Sequence, residues 1–177
     1  FDKALRTKDI DKAVQCFETQ GYWRDLISFT WNIKTLEGQD EIKEMLSHTL
    51  EKTEPYNWKL DEEAVENDGV IEAWITFDTK VARGYGHLRL RNGKAWTLLT
   101  TMTELKDFPE KRKKLRSKGA EHGVNPDRLT WQEKRELEDK NLGYSEQPYC
   151  LIIGGGQGGI GLGARLRQLE VPTIIID

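Results

Sequence analysis

The sequence predicts an α+β fold followed by a linker and a βαβ unit, because the composition changes twice along its 177 residues. Residues 1–106 carry five of the six tryptophans and almost all of the strand-like alternation of apolar and polar residues. Residues 107–147 are dominated by charged side chains, and residues 148–177 are apolar and rich in glycine. We therefore expect a first domain over 1–106, a charged linker with helical segments over 107–147, and the truncated start of a second domain over 148–177.

The first domain is predicted to begin with helices and to end with an antiparallel sheet. Apolar residues at helical spacing indicate a helix over residues 2–18 and a second one over residues 38–52. Segments rich in aromatic and β-branched residues predict strands at 22–31, 57–65, 70–78, 84–91 and 95–105. Asn92-Gly93 lies between the last two segments and is typical of a tight hairpin turn. A sheet in this order must bury one face against the helices.

The composition argues against several classes of function. Lys and Arg number 27 against 30 Asp and Glu, and this near-balance disfavours nucleic-acid binding, which depends on neutralising phosphates. No apolar run approaches the roughly 20 residues that span a bilayer, so no membrane association is expected. Phe1 in place of Met, with charged residues after it, predicts a missing native N-terminus and no signal peptide. Cys16 and Cys150 lie in apolar contexts and predict reduced thiols in a cytoplasmic protein, without a disulfide or a metal site.

A candidate site in the first domain follows from the alternation along its predicted strands. One face of the strand at 22–31 carries Trp23, Asp25, Ile27, Phe29 and Trp31. Asp25 stands out, because a carboxylate on an apolar face must be hydrogen-bonded, paired or shifted in pKa. One hypothesis places His87, on a later strand, in the same cavity as an acid/base partner of Asp25, with Trp23 as a further pocket residue. The alternative puts Asp25 in an ion pair or at a bulge, His87 on a solvated face and the tryptophans in the core, and it is favoured because structural ion pairs also perturb carboxylates.

Two segments of the linker carry recognisable patterns. The basic run KRKKLRSK at 111–118 is typical either of a nucleic-acid or nuclear-targeting patch or of a solvated linker helix, and its acidic neighbours favour the helix. Thr130, with Glu133 three residues later, forms a capping-box pattern that predicts the start of a short helix. That helix is expected to end near Asn141, where Gly143 can adopt a left-handed conformation.

The glycine-rich segment is the most informative part of the chain. Residues 149–153 form a short apolar run, as expected of a buried parallel strand, and GGGQGG follows directly. Gly154, Gly156 and Gly159 match the pattern G-x-G-x-x-G, and a helix-like segment, a Val-Pro turn and the strand-like TIIID come next. Asp177 lies eighteen positions after Gly159, close to the spacing of the acidic residue in dinucleotide-binding βαβ units.

These residues have physical roles in holding a dinucleotide. Gly154 permits the tight turn after the strand, Gly156 leaves room for a pyrophosphate, and Gly159 lets the helix pack on the sheet. Asp177 accepts hydrogen bonds from a ribose hydroxyl and repels a 2′-phosphate, which favours FAD or NAD over NADP at this site. The predicted cofactor-binding residues are Gly154, Gly155, Gly156, Gln157, Gly158, Gly159 and Asp177. The alternative is a glycine-rich turn without a ligand.

In element order and tryptophan placement, the first domain resembles the nuclear transport factor 2-like fold, which also occurs in polyketide-cyclase-like domains. The resemblance implies a curved sheet that wraps the helices into a cone around a hydrophobic pocket. Members of this fold include isomerases, small-ligand binders and dimerisation modules, so the fold alone specifies no activity. It implies a small-molecule substrate or ligand, and it suggests a homodimer formed through this domain.

The segment GGGQGGIGLGARLRQLEVPTIIID, preceded by EQPYCLI, resembles the FAD-binding start of the flavin-containing monooxygenases. The likeness is greatest to microbial and fungal members with a nuclear transport factor 2-like domain ahead of the flavoprotein. It implies FAD as cofactor, NADPH as co-substrate and oxygenation of a heteroatom or carbon in the substrate. The family's second glycine motif and its Phe-Gly-His fingerprint do not occur in these residues, so no catalytic residue is predicted and the fragment alone is expected to be inactive.

The sequence is also compatible with two other functions. One is a different flavin or nicotinamide oxidoreductase, such as a disulfide-reductase-like enzyme, because its first βαβ unit has much the same pattern. The other is a non-catalytic ligand-binding or dimerisation module.

Overall fold

The computed structural model describes residues 1–116 and 127–177 of the chain. It divides into two compact units, which we call the first unit (Phe1–Pro109) and the second unit (Glu110–Asp177). The first unit contains a seven-stranded sheet and the second a two-stranded sheet. Within the described ranges, no helix is long and apolar enough to cross a membrane.

Three helices belong to the first unit. They are α1 (Asp2–Arg6), α2 (Ile10–Gln15) and α3 (Gly38–Thr53). The prediction of a single helix over 2–18 is wrong, because the chain turns at Lys8, where φ is +56°. Asp9 then starts α2 by accepting a hydrogen bond from Lys12 N at 3.1 Å. The prediction of a helix over 38–52 is confirmed by α3.

Seven strands follow one another around these helices. They are β1 (Phe17–Leu26), β2 (Ile33–Glu37), β3 (Tyr56–Leu60), β4 (Val65–Asn67), β5 (Val70–Asp78), β6 (Ala82–Arg91) and β7 (Lys94–Leu105). The sheet order is β2-β1-β7-β6-β5-β3, with β4 paired to β5, and every pair is antiparallel except β1 with β7. Register shifts interrupt the pairing of β1 with β7, β3 with β5 and β6 with β7. Such bulges bend a sheet, and here they accompany its curvature around the helices.

The strand predictions succeed in the second half of this sheet and fail in the first. The predicted strands at 70–78, 84–91 and 95–105 are confirmed as β5, β6 and β7, and Asn92 and Gly93 turn between the last two with φ of +51° and +75°. The predicted strand at 22–31 is wrong at both ends: β1 begins at Phe17 and ends at Leu26. Ile27 and Trp31 have φ of +61° and +54°, so residues 27–32 form a loop instead of continuing one strand face. The predicted strand at 57–65 is divided between β3 and β4.

The core of the first unit lies between the three helices and one face of the sheet, which we call the inner face. On β5 this face carries Ala73, Ile75 and Phe77, which are buried, and the opposite side of the sheet is the outer face. The aromatic part of the core is formed by Phe17, Trp23, Phe29 and Phe77. Burial of these large side chains, at about 25 cal/mol per Å² of apolar surface, is the main contribution that stabilises the unit.

The second unit contains a βαβ arrangement. Its elements are α4 (Trp131–Asn141), β8 (Cys150–Ile153), α5 (Gln157–Gln168) and β9 (Thr173–Ile176), with a 3₁₀ turn at Lys113–Leu115. β8 and β9 pair in parallel. The capping box predicted at Thr130 and Glu133 is confirmed at the start of α4. Of the predicted linker helix KRKKLRSK, residues 113–115 form the 3₁₀ turn, and residues 117–118 lie outside the described residues.

Candidate functional site

Asp25 is fully buried on the inner face and bound on every side by hydrogen-bond donors. Its Oδ1 accepts from Ser28 N at 3.1 Å and from Thr100 Oγ1 at 2.9 Å. Its Oδ2 accepts from Phe29 N at 3.0 Å and from Thr30 N and Oγ1, each at 2.8 Å. The carboxylate therefore folds residues 27–32 into a loop around itself, and no oxygen remains open to a ligand.

Trp23 and His87 do not join Asp25 in a catalytic arrangement. Trp23 is fully buried between Phe17 and Phe29, with ring centroids 5.7 Å and 4.9 Å away, and its Nε1 donates to Thr100 Oγ1 at 2.8 Å. His87 is paired in register with Trp74 and lies on the outer face, 4.4 Å from the Trp74 ring. The hypothesis of an acid/base pair is wrong, because alternation along β6 directs His87 away from the side of the sheet that holds Asp25.

An apolar cavity of about 290 Å³ lies in the first unit, beside the aromatic core. Its apolar lining includes Phe1, Phe17, Trp58, Ile75, Leu88, Leu90 and Leu98, and the charged residues Asp2 and Lys59 also line it. Ile75, Leu88 and Leu90 are inward-facing positions of β5 and β6, which the alternation of those strands could have identified. Trp58 gives no such signal, because it lies in a strand whose register shifts between Tyr56 and Lys59.

A cluster of polar side chains joins the end of β7 to β3 and β5. Lys106 Nζ lies 3.3 Å from Asp78 Oδ1 and donates to Tyr56 Oη at 3.0 Å, and Asn57 Nδ2 donates to Asp78 Oδ2 at 2.8 Å. Burial raises the pKa of Asp78, but the hydrogen bonds from Asn57 and Lys106 outweigh it and hold that pKa below its usual value. The carboxylate is thus stabilised in its charged form.

This shift predicts a pH dependence of stability. A carboxyl whose pKa is lower in the folded state contributes stability above its unfolded pKa of about 3.9, and loses it as the pH falls through the folded pKa. We expect Asp78→Asn to lower the free energy of unfolding at pH 7, and the difference from the unchanged protein to shrink below about pH 4. Urea unfolding of both proteins across pH 2–7 measures this difference in the free energy of unfolding. Glu54→Gln is the control, since the ion pair of Glu54 with Lys80 is more than half exposed; an equal effect in both variants would contradict the prediction.

The glycine loop of the second unit connects β8 to α5. Gly154 has φ of +107°, a value that favours glycine. A Cβ on Gly159 would overlap the carbonyl oxygen of Gly154, whereas a Cβ on Gly156 would meet no atom within 4 Å. Gly159 therefore lets the helix pack against the loop, and the space beside Gly156 is open to a ligand.

Asp177 lies next to the same loop. Its Oδ1 accepts a hydrogen bond from Gly155 N at 3.2 Å, so the carboxylate at the end of β9 and the glycine loop after β8 meet at one edge of the sheet. Gly156 is the N-cap of α5, and the first helical hydrogen bond there runs from Ile160 N to Gly156 O at 2.9 Å. The N–H groups of Gln157, Gly158 and Gly159 come before this first helical donor. They are therefore not used by the helix and are available to an anion. The arrangement fits the pyrophosphate and adenosine ribose of a dinucleotide.

The curved sheet, the helices on its inner face and the apolar cavity define the first unit as a nuclear transport factor 2-like domain. A sequence profile of the SnoaL-like domain family matches residues 1–98, more than half of the chain, and the chain belongs to this family. No curated protein matches the chain.

Several solved structures are similar to part of the chain at low identity. The chain is similar to an NTF2-like protein of unknown function from Cytophaga hutchinsonii, at 14% identity and a TM-score of 0.39, over 57% of this chain and 81% of that one. It is also similar to a ketosteroid isomerase-like protein from Erwinia carotovora atroseptica, at 13% identity and a TM-score of 0.47, over 58% of this chain and 87% of that one. It is also similar to the orange carotenoid protein of Anabaena (Nostoc), which binds canthaxanthin, at 13% identity and a TM-score of 0.44, over 57% of this chain and 34% of that one.

Proposed function

We propose that the second unit binds the adenosine-diphosphate half of FAD, and that the chain is part of an FAD-dependent oxidoreductase. The observation that carries the proposal is the meeting of the glycine loop and Asp177, joined by the bond from Gly155 N to Asp177 Oδ1. In βαβ units of this kind, the loop holds the pyrophosphate and the acidic residue holds the ribose.

The pyrophosphate would lie beside Gly156, at the N-terminus of α5. That helix has 12 residues, so its aligned peptide dipoles favour an anion at this end. The open space at Gly156 permits contact between the phosphates and the backbone. Asp177 would accept a hydrogen bond from the ribose 2′-hydroxyl and would repel a 2′-phosphate, which favours FAD or NAD over NADP here.

The finer proposal is a monooxygenase, and it rests on the resemblance of residues 146–177 to the flavin-containing monooxygenases. When bound, FAD supplies electron transfer and oxygen chemistry, with NADPH as the expected reductant. The residues described here contribute phosphate and ribose contacts only, because a single βαβ unit provides no wall for the flavin ring. A disulfide-reductase-like oxidoreductase would use the same contacts and is the alternative at this site.

Nuclear magnetic resonance on the 177-residue chain tests the cofactor proposal. ADP carries the half of FAD that the loop is proposed to hold, and riboflavin carries the ring without phosphate or adenosine. We expect ADP to shift the amide signals of residues 155–159, and riboflavin to leave them in place. Absence of an ADP response, or an equal response to riboflavin, would contradict the proposal.

Gly156→Val is expected to weaken ADP binding by about two decades, through loss of charge-assisted hydrogen bonds worth about 1.5–3 kcal/mol each. The Cβ of the new side chain meets no atom within 4 Å, so we expect the fold to persist while the phosphate space is filled. Gly161→Ala is the matched control, because its Cβ also meets nothing within 4 Å and it lies further along α5. Asp177→Ala should be milder than Gly156→Val, since a ribose hydroxyl can bind water instead. Unchanged ADP affinity in Gly156→Val would show that this loop is not the phosphate site.

The first unit supports a second candidate function, the binding of a small apolar molecule. The specific observation is its cavity of about 290 Å³, which is lined mainly by apolar side chains and lies near the lower end of the size range of small-molecule sites. Such a site would act either as a non-catalytic ligand-binding module or as a substrate site for the oxidoreductase.

Assembly and location remain predictions. A homodimer through the first unit is supported by half-exposed aromatic side chains on its sheet, Tyr22 at 38% and Trp74 at 41%. A reducing, cytoplasmic location is supported by the free thiols of Cys16 and Cys150.

A further inference from the structure

The loop between β1 and β2 exposes three large apolar side chains, Ile27, Trp31 and Ile33, which we call the tip patch. Their exposed fractions are 40%, 63% and 63%. Ile27 N donates a hydrogen bond to Asn32 O at 3.0 Å, which closes the loop. The last pair of β1 and β2 is Leu26 with Ile33, so the tip patch lies at one end of this hairpin. Grouped apolar side chains on a surface mark sites of interaction.

The tip patch is held outward from inside the same loop. Ser28 and Phe29 are almost completely buried, and their N–H groups bind the buried Asp25 carboxylate at 3.1 and 3.0 Å. Ile27 and Trp31 have φ of +61° and +54°, a conformation that is unfavourable for bulky side chains. Backbone strain of this kind persists where the surroundings impose it, and it is common at functional sites. The exposed side chains therefore cannot turn into the core without breaking the contacts of Asp25.

Two cationic side chains flank the tip patch without a carboxylate partner. Among the described residues, the side chain of Arg24 binds only Thr35 Oγ1, at 2.6 Å, and the side chain of Lys34 forms no hydrogen bond or ion pair. At about 3.4 Å per residue, Lys34 lies roughly 3 Å and Arg24 roughly 7 Å behind the last strand pair. Residues 26–36 include no acidic residue. The end of the hairpin is thus apolar at its tip and positively charged just behind it.

The acidic groups near this end of the sheet are paired, few or distant. β7 runs parallel to β1, so both strands end on the same side. Near the end of β7, Glu104 pairs with Arg83, and Asp107 is an acid without an ion pair in the described part of the chain. Glu37 lies four residues from Ile33, roughly 13 Å along β2, which exceeds the screening length of about 8 Å. Although the chain has a net charge of -3, its charge beside the tip patch is positive.

Two kinds of protein partner fit this surface poorly. A peptide strand added to β2 would need the N–H groups of its edge, but Ile33 N already donates to Asn32 Oδ1 at 2.8 Å. Glu37 N likewise donates to Glu41 Oε2 at 2.9 Å. A second copy needs about 20–30 residues a side, and in a symmetric pair the flanking cations of the two copies would meet. An anionic surface that accepts apolar side chains fits better.

We propose that the tip patch inserts into the headgroup region of a lipid bilayer that contains anionic lipids. Apolar side chains on such interfacial elements enter about 5–10 Å, and tryptophan favours this depth. The positions of Lys34 and Arg24 behind the tip then place their charges at the level of the lipid phosphates. The absence of a run long enough to span a bilayer does not bear on this contact, because the loop enters one leaflet only. The inference is independent of the proposed cofactor and ligand sites.

Co-sedimentation of the 177-residue chain with lipid vesicles tests the inference. Vesicles of phosphatidylcholine alone are compared with vesicles that also contain about 30% phosphatidylserine. We expect at least about tenfold stronger partitioning to the anionic vesicles, because each Lys or Arg near such a surface contributes about fivefold. Added salt should reduce this difference, since it screens the attraction.

Substitutions in the tip patch separate membrane contact from stability. Trp31→Asn removes the ring, and asparagine adopts a positive φ more readily than tryptophan. We expect vesicle partitioning to fall at least about tenfold in this variant, while urea unfolding shows no loss of stability. Ile33→Thr should also weaken partitioning. Leu60→Thr is its matched control, because Leu60 is also 63% exposed on a strand but lies outside the tip patch, and it should leave partitioning unchanged.

A second pair of variants tests the charges. Lys34→Gln should lower the preference for anionic vesicles about fivefold and leave binding to phosphatidylcholine alone unchanged. Lys59→Gln removes an exposed cation that also has no ion pair among the described residues, but on β3, at the opposite edge of the sheet. It should keep the preference of the unchanged chain.

The contrary outcomes are distinct. Equal sedimentation of the chain with and without vesicles would overturn the inference, as would equal binding to the two vesicle compositions or undiminished binding by Trp31→Asn. Analytical ultracentrifugation covers the other occupant: if vesicles are not bound and Trp31→Asn dissociates an oligomer of the unchanged chain, the tip patch is a contact between copies and the lipid inference is wrong. None of these results changes the cofactor or apolar-ligand proposals.

Discussion

Replacement of Asp25 by alanine is expected to lower the free energy of unfolding of the first unit by about 4 kcal/mol. The side chain is fully buried and accepts hydrogen bonds from three backbone N–H groups, those of Ser28, Phe29 and Thr30. Without the carboxylate these donors stay in the interior with no acceptor, and each unpaired donor costs about 1–3 kcal/mol. The loop that they form also carries Phe29 into the aromatic core, so its loosening would disturb packing as well.

Urea unfolding followed by tryptophan fluorescence measures this effect, because five of the six tryptophans lie in the first unit. Asp9→Ala is the control: Asp9 also accepts a backbone hydrogen bond, from Lys12 N, but at the exposed start of a helix, where loss of a cap costs about 1 kcal/mol. If Asp25→Ala were no more destabilising than Asp9→Ala, the loop would be held by its other contacts and Asp25 would need another role.

Asp25 also shows why the sequence predicts some elements better than others. The segment at 22–31 is rich in aromatic and β-branched residues, so its composition favours a strand. Its conformation is decided instead by a buried carboxylate that binds the backbone three to five residues later, and this turns Ile27 and Trp31 to positive φ. Neither residue type favours that conformation, and nothing in local composition signals it.

Elements with local causes were predicted correctly. The helix α3 has regular apolar spacing, Asn92 and Gly93 have the residue types of a hairpin turn, and Thr130 with Glu133 forms its capping box within four residues. The approach of Asp177 to the glycine loop could also be anticipated, since the carboxyl ends of paired parallel strands lie at one edge. The cavity could not be predicted from the sequence, because its walls come from strands that are distant in sequence. One wall residue, Trp58, also lies in a strand with an irregular register.

Gly86→Ala and Gly84→Ala are each expected to lower the free energy of unfolding by about 3 kcal/mol, through overpacking on the inner face of β6. A Cβ at Gly86 would overlap the backbone carbonyl oxygen of Leu99 and lie 3.1 Å from Ile75 Cγ1. A Cβ at Gly84 would overlap the ring of Phe77. Both glycines let neighbouring parts of the curved sheet approach more closely than any side chain would permit.

The two variants should respond differently to a second substitution, because one clash is with backbone and the other with a side chain. Phe77→Leu removes the ring that a Cβ at Gly84 would meet, so Gly84→Ala with Phe77→Leu should be at least about 1 kcal/mol more stable than the sum of the single effects. Ile75→Val beside Gly86→Ala should give no such relief, since the oxygen of Leu99 stays in place. Urea unfolding of both double-mutant cycles measures the coupling. Equal relief in the two cycles would mean that β6 shifts as a whole to accept a methyl group, and that close backbone approach at Gly86 does not determine the curvature of the sheet.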